Sequence, residues 1–165
     1  MADPDNQDFE QLAPKPKRPG PSLKARAVSL LSRREHSRLE LARKLASHVD
    51  PGNPQELEQV LDALERDNWL SNQRFAQNLA QRRGAQKGSA LVLQELRQHG
   101  LSDDQLSSIR HDLQATELQR ATEVWKKKFG SAPADAKEYA RQFRFLASRG
   151  FSSSCLKQIL GELDT

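Results

Sequence analysis

One pattern constrains the fold of this chain more than any other, because it occurs three times. The middle copy reads Gln94-Glu-Leu-Arg-Gln-His-Gly-Leu-Ser-Asp-Asp-Gln-Leu-Ser-Ser-Ile109: a leucine, a helix-ending glycine, an apolar residue, a serine cap, then Leu-x-x-Ile. Fifty residues later the chain reads Arg144-Phe-Leu-Ala-Ser-Arg-Gly-Phe-Ser-Ser-Ser-Cys-Leu-Lys-Gln-Ile159, which has the same features at the same offsets. Upstream, Leu45 and the pair Leu57 and Val60 repeat Leu96, Leu106 and Ile109, with a turn two residues longer that reads Asp50-Pro-Gly-Asn-Pro54. A period near 50 residues with helical content predicts a repeat architecture in which neighbouring units complete each other's cores.

The local signals agree with a helical unit. Leu23, Ala27, Leu30 and Leu31 share one face of a first helix ending near Arg33. Ser37 stands three residues before Glu40 and Ser102 three before Gln105, the spacing of a capping box. Asn53 before Pro54 also reads as a helix start. Gly100 reads as a helix end in the left-handed conformation. No stretch alternates with period two over the length of a strand, so the expectation is an all-α, elongated array of three tandem three-helix repeats, about nine helices in all. The units are expected at residues 23–70, 71–115 and 116–165. Residues 1–22 hold five of the eight prolines and are expected to be a disordered tail.

Charge follows the repeat. Residues 23–49 have seven Lys or Arg against two Asp or Glu, residues 73–100 have five against one, and residues 118–150 have eight against three. The segments between are acidic: one base against six acids over 50–72, and one against four over 101–117. Stacked in register, such units would present a basic stripe suited to a long polyanion or an acidic protein groove, although charge segregation can also simply solvate an extended surface. The basic residues cluster at equivalent corners: Arg33, Arg34 and Arg38 in the first unit, Arg82, Arg83 and Lys87 in the second, Lys126, Lys127 and Lys128 in the third. These nine are the candidate contacts to a partner or to DNA phosphates, and such contacts are independent of sequence and sensitive to salt.

Chemistry is thin by comparison. There is no Gly-x-Gly-x-x-Gly or phosphate-binding loop, and the four histidines lack metal-site spacing and read as surface or capping residues. The single cysteine, Cys155, falls in the first turn of a helix and is expected to be partly exposed, with no base placed to activate it. Neither a catalytic residue, a metal site nor a cofactor is expected. Trp69 and Trp125 read as packing between units. The acidic start of the chain and the lack of a long apolar run suggest a cytoplasmic protein without a membrane span.

Four motifs in order resemble the RecX family of bacterial regulatory proteins: Ser32-Arg-Arg-Glu-His-Ser-Arg-Leu-Glu-Leu41, Leu70-Ser-Asn-Gln-Arg-Phe-Ala76, Lys87-Gly88 followed by Glu95-Leu96 and His99-Gly-Leu101, and Arg149-Gly-Phe-Ser152. The resemblance covers about residues 23–163. It departs at Asn68, where glycine is common, at Asn72, where aspartate is common, and at Val49, where the later units have glycine. The resemblance implies a three-helix-repeat protein, taken here as a monomer, that binds the RecA recombinase and its filament on single-stranded DNA. It further implies inhibition of the RecA ATPase and of strand exchange, and so control of recombinational repair and the SOS response. Within the second motif, Phe75 is expected to fill the seam between units and Arg74 to reach an acidic neighbour. A reading from another class is a helix-turn-helix transcription regulator over Leu96 to Leu113, but its second helix carries Asp103, Asp104 and Asp112 against only Arg110 to meet a groove of negative potential.

Overall fold

Side-chain caps set the helix starts. The computed structural model describes residues 20–162, so most of the expected tail lies outside the described residues. Ser22 opens α1 (Leu23–Arg33) by accepting a hydrogen bond from the Ala25 amide, and Ser37 opens α2 (Arg38–Leu45) by accepting from Glu40. A short 3-10 turn, Ala46–His48, follows α2. The remaining helices are α3 (Glu56–Arg66), α4 (Asn72–Gly84), α5 (Ser89–Gln98), α6 (Asp103–Lys128), α7 (Ala136–Ser148) and α8 (Ser153–Leu160). Ser71, Asp135 and Ser152 cap α4, α7 and α8, and Ser102 with Gln105 forms a reciprocal capping box on α6. Each such cap satisfies an amide that the first helical turn leaves without a partner.

Two boundaries differ from the sequence reading. The helix count is eight among the described residues, not nine, because the last helix of the second unit and the first of the third are one continuous helix, α6, of 26 residues. No glycine or proline interrupts residues 103–128, so nothing in the backbone chemistry stops the helix at the unit boundary. Asn53 does not cap α3. Its carbonyl accepts from the Glu56 amide at 3.2 Å, which makes residues 53–56 a turn ahead of a helix that starts without a side-chain cap.

The apolar residues form three clusters, one per repeat. The first gathers Leu23, Ala27, Leu41, Leu45, Leu61, Leu64 and Leu70 from α1–α3 and the strap after α3. The second, between α4, α5 and α6, includes Phe75, Leu79, Val92, Leu96, Leu106, Ile109 and Leu113. The third holds Ala121, Leu146, Phe151 and Leu156, with Val124, Trp125, Phe143, Phe145 and Ile159 packed around them. Helix α6 therefore serves two cores, giving its first half to the second and its last half to the third. An all-α chain with a separate core per unit is the architecture of a tandem array of three-helix repeats. No described helix is long and apolar enough to cross a membrane.

The turn before α4 shows how a local conformation sorts side chains. Asn68 sits at φ 61°, where most side chains are strained and asparagine is tolerated. The amides of Trp69 and Leu70 then both bond to the Leu64 carbonyl, at 2.9 and 3.1 Å. Leu70 turns into the core, 2% exposed, while Trp69 is left 50% exposed, so the expectation that Trp69 packs between units is not met. Trp125 does pack, but within the third core and not between units, and its ring nitrogen donates to the Gln142 side-chain oxygen at 2.8 Å.

Candidate functional site

The seams between repeats fix where the basic corners point. At the first seam, Arg74 donates to Glu35 at 2.9 Å and to the Asn68 carbonyl at 2.7 Å, tying the start of α4 to the loop after α1. The Asn72 side chain accepts from the Arg38 amide at 2.8 Å. Phe75 is buried in the second core with its ring 4.8 Å from that of His99, edge to face. Arg74 thus reaches an acidic neighbour, as its position in the motif implied.

The second seam is built around a buried polar group. Glu117 lies on α6 four residues after Leu113 and four before Ala121, in the line of the buried stripe. Its carboxylate accepts from the Ser89 amide at 3.0 Å and faces the Cys155 thiol at 3.6 Å. One turn on, Arg120 donates to the carbonyls of Gly84, Lys87 and Leu113 at 2.8, 2.7 and 2.9 Å. It thereby satisfies the C-terminal end of α4, where helix carbonyls lack partners. Burial pushes the Arg120 guanidinium below its ordinary pKa, against the pull of Glu117. Beside it, Gly88 donates to the Arg149 carbonyl at 2.7 Å, with the two backbones in direct contact.

Cys155 and His36 depart from the sequence reading. Cys155 is buried, and desolvation, reinforced by Glu117, raises its thiol pKa against the opposing effect of the Ser152 hydroxyl. The position in the first helical turn suggested exposure, but α8 lays that turn against α6. His36 is also buried, at 2% exposure, with Nδ1 3.0 Å from the Arg34 carbonyl and Nε2 3.3 Å from the Lys44 amine.

The nine candidate basic residues fall into three groups. In the first corner, Arg38 bridges three carboxylates of α3, at 2.6 Å to Glu58, 2.8 Å to Asp62 and 3.1 Å to Glu65, and Arg34 pairs with Glu40. These two are engaged in holding α2 to its neighbours, although Arg34 stays exposed, as Arg33 is. In the second corner Arg83 pairs with Glu95 at 3.1 Å and Arg82 is exposed. Lys87 is half-buried, its carbonyl held by Arg120. In the third corner Lys126, Lys127 and Lys128 are all exposed on the last turn of α6. Among the described residues no ion pair involves Arg33, Arg82, Lys87 or the three lysines.

The structure brings the first two corners together. A groove of about 350 Å³ is lined by Arg34, Glu35, Phe75, Asn78, Gln81 and Arg82, so arginines of two successive repeats face one cleft. Lys87 borders a different groove, with Leu91, Gln94, Glu95, Gln98 and His99. Around the helix-turn-helix segment, Asp103 holds both Arg97 and Arg110, at 3.3 and 3.4 Å, which occupies the one base between Leu101 and Leu113. The described residues hold no cluster of three or more potential metal ligands.

Comparison with known proteins agrees with this architecture. A family described as RecX, third three-helix domain, matches residues 115–160. The Regulatory protein RecX of Ralstonia nicotianae is 50% identical over 143 residues, covering 87% of this chain and 89% of that protein. The protein of the same name from Neisseria meningitidis serogroup C is 38% identical over 143 residues, covering 87% and 92%. Among solved structures, RecX from Lactobacillus salivarius superposes with a TM-score of 0.68 at 19% identity, over 86% of this chain and 94% of that one. With half of 143 aligned residues identical to a relative, over 87% of this chain and 89% of that protein, and the same fold, this chain belongs to the RecX family of regulatory proteins.

Proposed function

We propose that this chain binds the RecA recombinase and its filament on single-stranded DNA, restrains the RecA ATPase and strand exchange, and so modulates recombinational repair and the SOS response in the cytoplasm. It acts as a monomeric binding protein without catalytic chemistry. The observation that supports this reading is the cleft in which Arg34 and Arg82, from successive repeats, stand over Phe75, Asn78 and Gln81. A polymer with an acidic groove or a phosphate backbone meets several repeats at once, and contacts repeated along an array add through effective concentration. The exposed cations Arg33, Arg82, Lys126, Lys127 and Lys128 are the primary contacts. Arg34 joins Arg82 in the cleft, and Arg38, Arg83 and Lys87 contribute field while holding the fold. Blocking incoming duplex and subunit addition then follows from occupancy alone.

The test is RecA ATPase on single-stranded DNA, titrated with the wild-type protein and with the Arg33→Glu/Arg82→Glu double variant. The wild type lowers turnover, and the variant, folded by circular dichroism, needs at least about tenfold more protein for the same effect, from roughly 1 kcal/mol lost per reversed contact. A wild-type protein that leaves turnover unchanged at saturation would sink the reading.

A further inference from the structure

The third repeat presents two half-exposed phenylalanines dressed with cations. Phe129, at the end of α6, and Phe145, on α7, meet edge to face with ring centroids 5.4 Å apart. The Arg141 guanidinium lies 5.2 Å from the Phe129 centroid, and Arg149 and Lys128 lie 5.0 and 5.5 Å from that of Phe145. Three cations thus share two rings at the foot of the Lys126, Lys127 and Lys128 cluster.

We infer that Phe129, Arg141, Phe145 and Arg149 form a base-stacking site for single-stranded nucleic acid, with the adjoining lysines on its phosphates. The site works without RecA and goes beyond the regulatory reading above. Arg141 indicates bases over an acidic protein surface. Its guanidinium is already held by Glu138 through two hydrogen bonds, at 3.0 and 2.7 Å, so it has little net charge to give. It retains a flat face, locked by Glu138 on one edge and seated over Phe129, with its side chain 63% exposed. A rigid, neutralised plane suits a nucleobase, because every base has a π-face and stacking on aromatic or guanidinium planes tolerates any sequence. A duplex keeps those faces covered by its own stacking, so the ligand is single-stranded. The free charge required for the backbone is next to it, on Lys126, Lys127 and Lys128, which form no ion pair among the described residues.

The experiment uses the full chain, without RecA, and two fluorescent probes: oligothymidylate and an abasic strand of the same length and charge. Anisotropy titrations compare the wild type with Arg141→Lys/Arg149→Lys, which keeps both charges and removes both planes. The wild type is expected to bind oligothymidylate about tenfold more tightly than the abasic strand, and the variant to lose that preference while binding the abasic strand as before. Equal wild-type affinity for the two strands, a variant that retains the preference, or no binding of either strand each overturns the site. The readout contains no RecA, so failure here leaves the regulatory reading standing, and failure there leaves this one.

Discussion

Replacing Gly88 by alanine should loosen the third repeat from the second, and the size of the effect can be worked from the seam. A Cβ built on Gly88 falls 2.1 Å from the carbonyl carbon and oxygen of Gly150 and 2.3 Å from the Phe151 amide nitrogen. All three are backbone atoms, so no side chain can rotate away, and carbon atoms need about 3.5 Å. The two segments must part by more than an ångström. That separation stretches the 2.7 Å bond from Gly88 to the Arg149 carbonyl past hydrogen-bonding range. It also withdraws Gly150 from the Leu91 side chain packed beneath it. Gly88 itself has φ −72° and ψ 165°, which alanine adopts freely, so the penalty comes from the collision and not from the backbone. A lost bond at roughly 1 kcal/mol, overpacking at roughly 1–3 and a poorer helix cap at a few tenths give a destabilisation of about 2–4 kcal/mol. The control is Gly84→Ala. Its Cβ meets only side chains of Arg120 and Leu113 at 3.5–3.6 Å, so that variant should be neutral or gain about 0.5 kcal/mol from higher helix propensity. Urea denaturation followed by circular dichroism measures both. A Gly88→Ala protein as stable as the wild type, or one no less stable than Gly84→Ala, would refute the seam geometry.

Three further outcomes follow from buried and half-buried groups. Burial lowers the His36 pKa below the ordinary 6.5, outweighing the hydrogen bond to the Arg34 carbonyl, so the unfolded chain takes up the proton first. Stability should therefore be full above pH 6.5 and decline as pH falls below it, and His36→Gln should flatten that slope in a series of melts. Burial also works against ionisation of Glu40, but the hydrogen bond and charge of Arg34 outweigh it and hold the carboxyl below its usual 4.5; its contribution is present above that value and is lost in more acid solution. The Cys155 thiol, buried against Glu117, should react with a disulfide reagent at least about a hundredfold more slowly in the native protein than in denaturant, where a native rate equal to the denatured one would mean that α6 does not cover it.

Much of the fold was legible because the signals are local and chemical. Ser37, Ser102 and Ser152 cap helices where the repeat placed them, and Gly100 takes φ 83° against the Leu39 side chain. Asn68, which departs from the family glycine, takes the left-handed conformation that glycine would have supplied. The errors arose where tertiary contact decides. The unbroken α6 was hidden by trusting the repeat period over the absence of any breaker between Asp103 and Lys128. Glu117 carried a readable clue, a carboxylate in an apolar stripe between Leu113 and Ala121, which is the usual mark of a buried polar partner. Cys155 and His36 looked exposed because nothing in the spacing shows which helix covers them. Clustered arginines in sequence did not separate free cations from those already paired, since Arg38 meets its three carboxylates some 20 to 27 residues away.

The claim that cationic surfaces of successive repeats meet a nucleoprotein polymer is tested most directly by cosedimentation with RecA filaments on single-stranded DNA at low and at raised salt. The protein should pellet with the filaments at low salt and return largely to the supernatant when salt is raised severalfold, as counterion release requires. Protein left in the supernatant at both salts, or pelleted equally at both, would contradict it.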